Sequence, residues 1–173
     1  LAALRASRNG ADVVVATSVQ ASDDGLASTL TRHGVKVFRG PLDDVLLRYV
    51  QASADLRDDD RVVRLTGDNV FPDADFVNDL LAFFDASGAD HVGTDSPKDG
   101  LPYGLSGEVF TVDALQRAQQ NAVDDFDREH VTPWIKRNLN SRLFDAHREA
   151  IDLGALRCTI DTNRDYQRQC RVF

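Results

Sequence analysis

Methionine is absent from the 173 residues, and cysteine occurs only as Cys158 and Cys170. With no Cys or His at ligand spacing around them, neither a zinc motif nor a disulfide framework is indicated, and both read as ordinary thiols. Long apolar runs are missing too. None approaches the roughly 20 residues of a helical membrane span, and the first residues lack the charged-then-apolar pattern of a secretory leader. The expectation is a water-soluble, cytoplasmic chain with no membrane partner. Positive charge is also scarce. Lys+Arg 20 against Asp+Glu 28 leaves a net charge of −8, so no basic field attracts a polyanion, and nucleic acid is not expected as a partner.

What is present describes a folded domain. A hydrophobic fraction of 42% and a charged fraction of 28% lie in the globular range, and the length suits one domain better than two. The opening Leu1-Ala2-Ala3-Leu4-Arg5 reads as the middle of a helix. The chain is therefore expected to be N-terminally incomplete, a single domain cut from a longer polypeptide.

Hydrophobic periodicity and turn residues then set an alternation of strands and helices. Strands are expected at Asp12 to Thr17, Val35 to Phe38, Arg61 to Leu65, His91 to Gly93, Glu108 to Phe110, Arg142 to His147 and Arg157 to Asp161. Helices are expected from Ser22 to His33, after Pro41, from Asp73 to Ser87 with Gly88 as stop, from Val112 to Asn121, from Asp127 to Asn138 and from Arg164 to Arg171. Asp23 and Asp24 read as first-turn carboxylates. The alternation predicts an α/β fold, a mostly parallel sheet with helices on both faces. Thr94 to Gly107 is a long irregular loop, and loops of that length are commonly functional.

In such sheets ligands bind beyond the carboxyl ends of strands, where Asp68 and Asp161 stand. Two carboxylates from separate strand ends suit a hard divalent cation that keeps waters and substrate phosphates as its other ligands. They equally suit N-caps of the helices that follow. Arg64 and Arg39 lie near strand ends, where a guanidinium offers forked donors to phosphate or carboxylate, or simply makes a surface contact.

Five blocks occur in an informative order: Phe38-Arg39-Gly40, Asp43-Asp44-Val45-Leu46-Leu47-Arg48-Tyr49, Val62-Val63-Arg64-Leu65-Thr66-Gly67-Asp68, Asp127-Arg128-Glu129-His130-Val131-Thr132-Pro133 and Cys158-Thr159-Ile160-Asp161-Thr162. Together they resemble the cytidylyltransferases of the spore-coat polysaccharide type, relatives of the CMP-sugar synthetases acting on 3-deoxy-manno-octulosonate and sialic acids. The resemblance runs from about Asp12 to Tyr166. It implies a nucleotide-diphospho-sugar transferase fold, Rossmann-like and of the GT-A type. The implied reaction is transfer of CMP from CTP to a sugar or sugar-acid acceptor, with release of pyrophosphate, in surface polysaccharide or glycan synthesis.

Magnesium is the implied cofactor, with Asp68 and Asp161 as its ligands. Arg64, Arg128 and His130 are the implied catalytic residues, and Arg39, Tyr103, Glu108 and Glu129 the implied substrate contacts. Arg128, Glu129 and His130 fall in the block that faces the sugar side in the family. Glu129 equally reads as a helix-dipole carboxylate and His130 as a structural histidine. Tyr103 and Glu108 lie on the loop placed to close over the acceptor, and a homodimer is a further expectation.

The resemblance also implies a first strand and a Gly- and Arg-rich phosphate loop, which these 173 residues do not carry. Asn69-Val70-Phe71-Pro72 stands where a Cys-Pro-Leu-like segment is usual. Two other readings follow. One is a non-catalytic interaction domain that retains the transferase fold. The other is a phospho-receiver domain using Asp23, Asp24, Asp68 and Thr94.

Overall fold

The computed structural model describes residues 10–70, 73–95, 101–144 and 156–171. In chain order the first half runs β1 (Val14–Ser18), a short 3-10 turn (Ala21–Asp23), α1 (Asp24–Arg32), β2 (Lys36–Gly40), α2 (Val45–Ala52), β3 (Arg61–Arg64) and α3 (Ala74–Ser87). The second half runs β4 (His91–Gly93), β5 (Glu108–Thr111), α4 (Val112–Asn121), α5 (Asp125–His130), α6 (Pro133–Asn138), β6 (Ser141–Leu143) and α7 (Asn163–Gln169). None of the described helices is long and apolar enough to cross a membrane. The chain divides into two compact units, one from Gly10–Val62 and Phe110–Asn140, the other from Val63–Val109 and Ser141–Phe173.

In the first unit β1 and β2 pair in parallel, from Val14 opposite Lys36 to Ser18 opposite Gly40. A parallel pair needs a crossover, and α1 supplies it. The following helices start at local caps. Asp44 accepts from Leu47 N at 2.9 Å to open α2, and Thr111 accepts from Ala114 N at 3.1 Å to open α4. The core is Leu46 of α2, Phe110, the Ala114, Leu115 and Ala118 face of α4, Val131 and Ile135.

The helix expected over Asp127 to Asn138 is two helices, α5 and α6. Val131 between them has φ 70° and ψ −56°, and Thr132 N donates to His130 O at 2.8 Å. That is a γ-turn with positive φ, which breaks the helical ladder. Pro133 restarts it, since its missing N–H costs nothing at a first helical position.

In the second unit the four-stranded sheet has the order β3-β5-β4-β6. β4 and β6 are parallel, with His91 opposite Ser141 and Gly93 opposite Leu143. α3 opens where Asp73 accepts from Phe76 N at 2.7 Å and closes on Gly88 in the left-handed region. It lays Leu80 and Phe84 on Val92, Val109 and Phe144. Phe76 and Phe83 meet the Phe144 ring edge-on at 5.9 and 5.6 Å, a favoured aromatic geometry.

The strand expected at Arg157 to Asp161 is reduced to two isolated bridges, Tyr103 with Arg157 and Asn69 with Thr159. Each residue meets a different segment, so no ladder of consecutive pairs forms. Of the strand expected over Arg142 to His147, residues 145–147 lie outside the described residues. So do Leu1 to Asn9, Phe71 and Pro72, and residues 96–100 of the Thr94 to Gly107 loop.

Candidate functional site

In the second unit Arg64, the last residue of β3, donates from Nη1 to Glu108 Oε2 at 2.8 Å. Glu108 opens β5, forty-four positions later in the chain. Both are largely withdrawn from water, with side chains 19% and 9% exposed, so each charge relies on the other for compensation. His91, fully buried, stands against the same carboxylate: its Nε2 is 3.5 Å from Glu108 Oε1 and its Nδ1 is 2.9 Å from Ser141 Oγ. A Cβ at Gly93 would come within 2.9 Å of His91 Cε1, so the bare glycine leaves this ring its place.

A cavity of about 170 Å³ opens beside the pair, lined by Arg64, Thr66, Thr94, Ser106, Gly107 and Glu108. The ends of the long loop are pinned here. Thr94 N donates to Gly107 O at 3.2 Å, and Gly107 N donates to Thr94 Oγ1 at 3.2 Å. Asn69 Nδ2 donates to both Thr66 Oγ1 and Ser106 Oγ, each at 2.9 Å.

Asp68 and Asp161 lie on the two segments joined by the Asn69–Thr159 bridge. Ile160 N donates to Asp68 O at 2.9 Å, and the buried Thr159 hydroxyl donates to Asp68 Oδ2 at 3.2 Å. Neither aspartate caps a helix. Asp73 caps α3, and Thr162 caps α7 through a reciprocal box with Asp165. That hydroxyl of Thr162, with Arg157 and the Asp161 N–H, holds the Asp165 carboxyl below its usual range.

Asp161 is ion-paired with Arg157, which also reaches Asp165 at 3.4 Å and lies 4.9 Å from the centre of the half-exposed Tyr103 ring. Gly104, at φ +96°, lets the Tyr103 segment pass the Cys158–Thr159 backbone. A Cβ there would stand 2.7 Å from Thr159 N. Among the described residues no group of three or more His, Cys, Asp or Glu side chains could hold a metal. Two carboxylates completed by waters and phosphates are nevertheless what magnesium commonly takes, and this donor set fits it.

The remaining predicted residues lie in the first unit, where Arg39 and Arg128 have internal partners. Arg39 donates to Ser18 O and Gln20 O, both at 2.9 Å, and pairs with Asp24 at 2.7 Å. Arg128 pairs with Asp44 and donates to Ala122 O at 3.1 Å. Glu129 and His130 are exposed on α5, with the His130 ring 4.4 Å from that of Phe126.

Asp23 departs from the capping role expected of it. It makes no side-chain cap bond to α1. It turns back instead to accept from Thr17 Oγ1 at 2.6 Å, Ser18 Oγ at 2.7 Å and Ser18 N at 3.0 Å. The Ser18 and Thr17 hydroxyls, with that N–H, lower its pKa to about 2. Sequence reasoning missed His91 and Arg157. A histidine and an arginine in short strand-like segments carry no spacing signal, and only the partners across the fold distinguish them.

Comparison with known proteins gives this architecture relatives. The chain is 36% identical over 168 residues to an uncharacterized protein of Methanocaldococcus jannaschii, covering 95% of this chain and 66% of that one. It is 32% identical over 160 residues to the spore coat polysaccharide biosynthesis protein SpsF of Bacillus subtilis, covering 90% of this chain and 64% of that one. It thus spans just under two thirds of the length of these relatives.

Among solved structures, a cytidylyltransferase from Leptospira borgpetersenii superposes with a TM-score of 0.84 at 27% identity, covering 95% of this chain and 69% of that one. Molybdopterin-guanine dinucleotide biosynthesis protein A from Archaeoglobus fulgidus shares the fold alone, at a TM-score of 0.54 and 16% identity over 87% of this chain and 76% of that one. The family described as Cytidylyltransferase matches residues 1–172, and with that match the phospho-receiver reading falls away: the chain belongs to the cytidylyltransferase family.

Proposed function

We propose that the chain carries part or all of a CTP-dependent nucleotidyltransferase acting in surface polysaccharide or glycan synthesis. An acceptor oxygen would attack the α-phosphate of CTP, forming the new P–O bond as the bond to pyrophosphate breaks. Family membership supports the reaction class, and the SpsF relative supports the polysaccharide setting. The observation that supports the reading is that the Asn69–Thr159 bridge joins the segments carrying Asp68 and Asp161 while other residues do the capping.

These two carboxylates would hold magnesium, which when bound supplies charge neutralisation to the phosphates. Thr159 orients Asp68, and Arg157 must release Asp161 for it to serve as a ligand. The chain's own share is positioning: Arg64 and Glu108 present a fixed polar surface to the acceptor, and the half-exposed Tyr103 ring is a further contact for it. Roles for Arg39, Arg128, Glu129 and His130 in contacting substrate require release from, or addition to, the contacts described above.

Calorimetric titration with CTP, UTP, ATP and GTP, with and without magnesium, tests the reading. Preferential, magnesium-dependent CTP binding is expected, and Asp68→Asn and Asp161→Asn should each abolish the magnesium dependence. Undiminished magnesium-dependent binding in Asp68→Asn refutes the metal assignment. No nucleotide binding at all favours an interaction domain that retains the fold.

A further inference from the structure

We propose that Arg157 is a positioning residue of the metal site: its guanidinium holds the Asp161 carboxylate and yields it to an arriving divalent cation, so this side chain sets how tightly the cation binds. This role deepens the magnesium reading of Asp68 and Asp161 and rests on it. Arg157 is forked between two carboxylates, pairing with Asp161 and standing 3.4 Å from Asp165 Oδ1. The two are held differently. Asp165, its side chain 9% exposed, also accepts from Thr162 Oγ1 at 2.7 Å, Thr162 N at 3.0 Å and Asp161 N at 3.3 Å. The Asp161 side chain is 43% exposed, and among the described residues Arg157 is its one partner.

A cation arriving at Asp161 therefore has a single contact to break, and Arg157 keeps its others when that contact goes. Its Nε remains by Asp165 and its guanidinium by the Tyr103 ring. Its backbone is tied as well: Gln169 Nε2 donates to Arg157 O at 3.3 Å, and the neighbouring Cys158 N donates to Tyr103 O at 2.6 Å. The displaced positive charge thus stays beside the carboxylate it has released, where it repels the incoming cation. Asp68 is held instead by the neutral Thr159 hydroxyl. An exposed ion pair is weak, which suits a contact that has to be given up, and removing it corresponds to about two- to fivefold in cation affinity.

Manganese(II), a paramagnetic stand-in for magnesium, tests the role, with the free ion read by electron paramagnetic resonance. Arg157→Gln should bind manganese about two- to fivefold more tightly than the unaltered chain. Arg157→Lys, which keeps the charge, should stay close to the unaltered chain, and the gain should vanish when Asp161→Asn is added to Arg157→Gln. A purely structural arginine gives the opposite direction, because losing its contacts would loosen the Asp161 turn and weaken binding. Should Arg157→Gln fail to fold, the Arg157 Nε–H nuclear magnetic resonance signal reads the same event without it. Magnesium should shift that signal in the unaltered chain and leave it unmoved in Asp161→Asn.

Where the unaltered chain binds manganese, an affinity unchanged or weaker in Arg157→Gln, a gain that survives Asp161→Asn, or an Arg157 signal indifferent to magnesium overturns the role of Arg157 and leaves the metal reading standing. No manganese binding by any of these chains overturns the metal reading itself, and this role with it.

Discussion

Val131 shows how one residue can hold two opposing terms. Its backbone sits at φ 70°, ψ −56°, a conformation that costs on the order of 1–3 kcal/mol in a β-branched residue. Its side chain is fully buried in the core of the first unit, which contributes about 1.5–3 kcal/mol. Val131→Ala keeps the strain and loses two methyl groups, roughly 1.5 kcal/mol. Val131→Gly loses the whole side chain and relieves the strain. The glycine variant should therefore be at least as stable as the alanine variant, the reverse of the usual order at a buried position. Urea midpoints of the two decide it, and a lower midpoint for glycine would show an unstrained turn.

At the scale of elements, four helices start on a residue that accepts a hydrogen bond from its own first turn: Asp44, Asp73, Thr111 and Thr162. Asp23, at the start of α1, makes no such bond and instead ties α1 to the end of β1, and a pH dependence follows. Its pKa is lowered from 3.8 to about 2, so the folded state favours the carboxylate. The resulting stabilisation is complete above about pH 4 and disappears as pH falls through about 2. Denaturant midpoints measured across that window should drop in the unaltered chain and flatten in Asp23→Asn. Parallel curves for the two would remove Asp23 from the acid response.

For the whole molecule, stability is distributed over two separate cores. Leu115 and Leu80 are both fully buried, one in each, and truncating either to alanine should cost about 2–5 kcal/mol. Leu26, 50% exposed, provides the contrast: Leu26→Ala should change stability by no more than about 0.5 kcal/mol. Equilibrium unfolding of the three variants checks this, and a mild Leu80→Ala would mean that the Phe76, Phe83 and Phe144 cluster closes over the space.

The α/β alternation, the bounds of α3 and α4 and the presence of an irregular segment between β4 and β5 were legible in the chain, because caps, stops and apolar periodicity act over one or two turns. The Asp68 and Asp161 motifs were legible as well, though the sequence left capping and metal binding equally open. Only the tertiary structure decided the capping, giving it to Asp73 and Thr162. It also paired Arg64 with Glu108 and placed His91 behind them, and it engaged Arg39 and Arg128 in internal contacts. Partners that lie tens of residues apart leave no local periodicity, so their meeting is decided by how the strands are brought together and by the cost of burying a charge alone.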